Sequence, residues 1–150
     1  MLSNSRIPQL YLRLALGIGF IIPVADRLGW LGTAGQKNIS WGNWDNFVAS
    51  TNTLLPFLSH PAAGVMGLLA TMAEALIGVC LIIGYKTRVA AYAGFMLTLI
   101  FALCMAIFTG IKAPLNYSVF ADSAGSLLLA MVPVFYWSLD NIKIGKKAVN

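Results

Sequence analysis

The chain has 150 residues, of which 59% are apolar and 10% charged, whereas a soluble domain averages about 45–50% apolar and about 25% charged. So few charges cannot coat a 16.1 kDa sphere, and a mean hydropathy of +0.79 points to lipid as the solvent and excludes a water-soluble monomer. The net charge of +5 comes from basic residues scattered between long apolar runs, without the aromatic-laced basic patch of a nucleic-acid binder.

In chain order, the first apolar segment is centred on Leu14–Ala25 and flanked by Arg13 and by Asp26 and Arg27. Its uncharged part covers only about 18 Å of a core of about 30 Å, so the span must extend through its flanking charges, over about residues 8–30. A cleavable signal ending at Ala25 is the rival reading, but Trp30 and Leu31 carry the apolar character past that point. Residues 61–84 form a second span with Glu74 as its one charge, and 88–111 a third with none after Arg88. A fourth is expected over 117–139, interrupted by Asp122 and by Pro133, which a membrane helix tolerates.

Between the first two spans, Leu31 to His60 is too long for an ordinary link. There Trp44, Phe47, Val48, Thr51, Leu55 and Leu58 recur at helical spacing behind Asn43 as a cap. The other face holds Asp45, Asn46, Asn52 and Thr53 and no basic residue, which disfavours a grip on anionic headgroups. Two readings stand: an interfacial helix anchored by Trp41 and Trp44, or a lid across the outer mouth. Arg6, Arg13, Lys86, Arg88, Lys143, Lys146 and Lys147 fall on one side of a four-span layout and Arg27, Lys37 and Lys112 on the other. By the positive-inside rule both termini are cytoplasmic. The expectation is an all-α integral membrane four-helix bundle, a single domain, with a short amphipathic helix in the outer loop between spans one and two.

Intramembrane charges are costly and are functional candidates. Glu74 lies near the midplane, on a face with Gly64, Gly67, Ala70, Thr71 and Gly78, small residues that admit a second helix closely. Asp122 is expected on one side of span four with Ser118, Ser126, Leu129 and Pro133, near Asn116 and Tyr117. On span one Arg13, Gly17, Phe20, Val24 and Arg27 align and Asp26 falls on the other side; Thr98 marks the inward line of span three. Each charge has a structural alternative: register fixing for Glu74, snorkelling to the interface for Arg13. Candidate ligand-binding residues are therefore Glu74, Asp122, Asn116, Tyr117, Arg13, Thr98 and Trp44. His60 reads as a helix-start residue. Cys80 and Cys104 differ in depth by about 18 Å, too far for a disulfide, and with a single histidine no metal site is expected.

The segments RLALGIGFI (Arg13–Ile21), ADRLG (Ala25–Gly29), AEALIGVCLIIGYKTR (Ala73–Arg88), PLNYSVFA (Pro114–Ala121) and SLD (Ser138–Asp140) together resemble the DoxX family of small four-span bacterial membrane proteins. The most specific part is Glu74 followed by Gly78, Gly84, Thr87 and Arg88. The resemblance implies a membrane subunit of a redox complex similar to thiosulfate:quinone oxidoreductase, in the bacterial inner membrane, with quinone as the cofactor and none held intrinsically. Membrane lipid, redox proteins and further copies of the chain are the partners it implies, not nucleic acid. A carrier of a hydrophobic small molecule, or a scaffold for a partner, are the alternatives.

Overall fold

A computed structural model describes residues 6–142, and within them the secondary structure is helical. The elements are α1 (Arg6–Arg27), α2 (Trp44–Leu54), α3 (His60–Ile83), α4 (Thr87–Phe108), α5 (Lys112–Asn116) and α6 (Val119–Ala130). Helices α1, α3 and α4 are each long and apolar enough to cross a membrane. Ile18, Leu69, Leu76, Met96, Ile100 and Leu128 are exposed, while Thr71, Glu74, Thr98, Ser123 and Ser126 are buried. Apolar outside and polar inside is the arrangement of a helical membrane bundle.

Contacts run α1 to α3, α3 to α4, α4 to α6 and α6 back to α1, closing a four-helix ring. Glycines set the α1–α3 approach: a Cβ on Gly78 would lie 2.8 Å from Ile21 and 2.9 Å from the Gly17 carbonyl oxygen. The α4–α6 seam is closed by Gly94 against Phe20 and Ser126. A core of Leu16, Phe20, Ile77, Leu81, Ala91, Leu129 and Phe135 fills the half of the ring nearer Arg13.

The fourth element departs from the expected span over 117–139. Helix α6 has 12 residues and ends at Ala130, a rise of about 18 Å. Pro133 explains the stop, since proline lacks the N–H and bars the preceding residue from helical geometry. The carbonyls that the broken helix would strand are taken by side chains from elsewhere. Arg88 donates to Val132 O (2.9 Å) and Pro133 O (3.4 Å), Gln9 to Tyr136 O (3.1 Å), and Arg13 to Tyr136 O (3.3 Å) and Trp137 O (2.7 Å). Non-helical backbone at membrane depth survives only when its polar groups are satisfied within the protein. Arg13, 2% exposed, therefore does not snorkel outward; its charge serves the backbone.

At the same end, Gly84 caps α3 in the left-handed region (φ 71°), and a Cβ there would lie 2.3 Å from Ser138 Cβ. Asp140 accepts from the N–H groups of Lys86 and Thr87, both at 2.8 Å, capping α4 from across the chain, and its own N–H donates to Gly84 O. The GYKTR and SLD segments, distant in sequence, thus form one joint.

Candidate functional site: a buried arginine–glutamate pair under helix α2

Arg27 is the last residue of α1, where its chain leaves the helix axis and reaches α3. Its Nη1 donates to Glu74 Oε2 and to Thr71 Oγ1, the latter at 2.8 Å, and Arg27 and Glu74 are 3% and 5% exposed. This is the single ion pair within 4.0 Å among the described residues. Thr71 in turn donates to Gly67 O (2.8 Å), fixing its hydroxyl so that its lone pair faces Arg27. A carboxylate at this depth is tolerable because the Arg27 cation sits directly against it; either charge alone there would be strongly destabilising.

The cover is aromatic. The guanidinium lies 4.0 Å from the Phe47 ring centroid and 5.1 Å from that of Trp41, which meet edge to face at 5.3 Å. Phe47 belongs to α2, which starts at Asn43, whose side chain accepts from Asn46 N. Helix α2 rests on α3 because two glycines there leave room: Gly67 lies under Phe47 and Gly64 under Val48. Of the expected inward stripe, Phe47 and Val48 are buried, while Trp44, Thr51 and Leu55 are half-buried. The helix packs on protein rather than lying free at an interface.

Asp26 and Arg27 are both buried but turn to different partners, Arg27 to α3 and Asp26 to the loop after α1. The loop after α1 folds back over the helix end, and the Asp26 carboxylate accepts from Ser40 N (2.8 Å), Trp41 N (3.4 Å) and Gly42 N (2.9 Å). Gly42 (φ 66°) is required there, since a Cβ would lie 2.3 Å from Ala34 N. Two adjacent residues thus divide the work, Asp26 holding the loop that carries Trp41 and Arg27 holding Glu74.

Among the candidates from sequence, Glu74 is at the centre of this cluster and Trp44 at its edge, 5.3 Å from Phe47. Arg13 is at the opposite end of the bundle. Thr98 is buried but bonded to Gly94 O and Phe95 O of its own helix. Asn116, Tyr117 and Asp122 are exposed, so Asp122 does not share the inward face of α6; Ser123, Ser126 and Leu129 occupy it. Arg27, Thr71, Phe47 and Trp41 complete the site, and each had a signal: Arg27 on the Arg13 line of α1, Thr71 three residues before Glu74, Phe47 in the apolar stripe of α2 and Trp41 as an aromatic anchor beside it.

The cluster presents a charged pair, a fixed hydroxyl and two aromatic faces. Arg27 Nε is buried without a hydrogen-bond partner among the described residues, a donor left over for an acceptor oxygen. Compared with protein families, with curated proteins and with solved structures, the chain matches none.

Proposed function

We propose that the chain is a DoxX-like subunit of a redox complex in the bacterial inner membrane, both termini cytoplasmic, and that the Arg27–Thr71–Glu74 cluster binds the head of a quinone-sized ligand admitted by displacement of α2. The observation carrying this reading is the unpartnered, buried Arg27 Nε beside an ion pair and two aromatic rings. Those groups fit a quinone: a carbonyl oxygen takes the spare N–H and a flat ring stacks on Trp41 or Phe47. When bound, a quinone supplies two-electron, two-proton chemistry, with electrons from a partner protein. The chain's own share is to orient the head through Arg27, to hold a proton-accepting carboxylate at Glu74, and to exclude water with α2.

The test is saturable quenching of tryptophan fluorescence by a short-chain ubiquinone analogue, with the protein in lipid nanodiscs. Quenching should fall in Trp41→Phe, and the affinity should drop at least about tenfold in Arg27→Gln, the scale of a hydrogen bond to a charged group, while helix content is retained. Wild-type affinity in a folded Arg27→Gln protein would refute the site. Absence of any saturable component would favour the scaffold, in which the pair only fixes helix register.

A further inference from the structure

A concavity lies at the other end of the bundle from Arg27 and Glu74, where α4 begins. It has a volume of about 520 Å³ and runs between the start of α4 and the chain after α6. Lys86 and Arg88 supply one wall, both exposed. Val89, Pro133, Val134 and Phe135 supply the apolar part. Among the described residues neither cation has a carboxylate within 4.0 Å. Arg88 donates through Nη2 to the neutral carbonyls of Val132 and Pro133, which fixes the guanidinium at the rim without cancelling its charge. Asp140, the acid nearest in the groove, is engaged by the backbone N–H groups of Lys86 and Thr87.

The turn between two membrane-crossing helices lies at the level of the lipid headgroups, so this groove opens where a phosphate is at hand and its apolar wall continues into the acyl region. We propose that the groove is a binding site for one anionic phospholipid, its phosphate held between Lys86 and Arg88 and an acyl chain lying along Val89 and Val134. Basic pockets of this kind on membrane helices recognise anionic headgroups. The site is independent of Arg27 and Glu74, at the far end of the bundle.

Protein purified in neutral detergent from membranes containing phosphatidylglycerol, then analysed by native mass spectrometry, tests this directly. Wild type should retain one phosphatidylglycerol in preference to phosphatidylcholine. Retention should fall about fivefold for each charge removed in Lys86→Gln and in the Lys86→Gln/Arg88→Gln double variant. Lys86→Gln is the safer of the two, since Lys86 donates only its backbone N–H to the joint. Lys146→Gln/Lys147→Gln, which removes two basic charges from the carboxyl-terminal tail and leaves Lys86 and Arg88 in place, should retain the lipid as wild type does. Equal retention in a folded Lys86→Gln protein, equal loss in the tail variant, or full displacement of the lipid by millimolar inorganic phosphate would each overturn the proposal.

Discussion

Gly78→Ala adds one methyl group at the closest approach of α1 and α3. The new Cβ would sit 2.8 Å from Cγ1 and Cδ1 of Ile21 and 2.9 Å from the Gly17 carbonyl oxygen, against ordinary carbon contacts of about 3.5–4.0 Å. The isoleucine has other rotamers, but the carbonyl belongs to a helix backbone, so α1 must move by several tenths of an ångström. The seam is as tight from the far side, where a Cβ on Gly17 would lie 2.7 Å from Ile82 Cγ1 and 3.1 Å from Gly78 O, so little slack is left to absorb the shift. Overpacking of this kind costs about 1–3 kcal/mol. Gly19→Ala is the matched control on α1: its Cβ meets nothing within 4 Å, and the higher helix propensity of alanine makes the change neutral or favourable by up to about 1 kcal/mol. Unfolding by sodium dodecyl sulfate in mixed micelles, followed by far-ultraviolet circular dichroism, reads both. A Gly78→Ala protein as stable as wild type, or a Gly19→Ala protein equally damaged, would refute the packing of α1 on α3.

Arg13→Leu removes the side-chain donor to Trp137 O, while Tyr136 O keeps Gln9, and should destabilise the chain by about 1–3 kcal/mol for the stranded carbonyl, visible in the same titration and as faster hydrogen exchange after α6. Asp140→Ala should cost about 0.5–2 kcal/mol through loss of the α4 cap, with exchange quickened at Lys86 and Thr87 while the Arg27 end is unchanged. A reporter fused after Asn150 should read as cytoplasmic and one inserted at Gly35, an exposed loop position, as external; the reverse result would overturn the orientation.

Much of this architecture was legible in the sequence because membrane helices announce themselves by length and hydropathy, and three of them fall within a few residues of the expected bounds. The stripe Arg13, Gly17, Phe20 and Val24 reads correctly because helical periodicity holds along the middle of α1. What periodicity does not convey is that the chain beyond the helix end folds back over Asp26 and buries that second face as well. The fourth span was misjudged because hydropathy does not report conformation. Hydropathy is the same for a helix and for an irregular apolar segment, and only the tertiary contacts of Arg13, Gln9 and Arg88 reveal that 131–138 is non-helical. Glu74 stood out as a lone acid and Arg27 as part of the α1 stripe, but their pairing did not, since an arginine at the end of one helix reaches an acid inside another only through its long side chain.

The account rests on Arg27 and Glu74 acting as one buried unit, and a double-mutant cycle of Arg27→Met and Glu74→Met on unfolding free energy measures that coupling most directly. Each single variant strands a charge and should lose about 3–5 kcal/mol, while the double variant should recover a large part of either loss. Single losses that simply add in the double variant would contradict the pair and with it the site beneath α2.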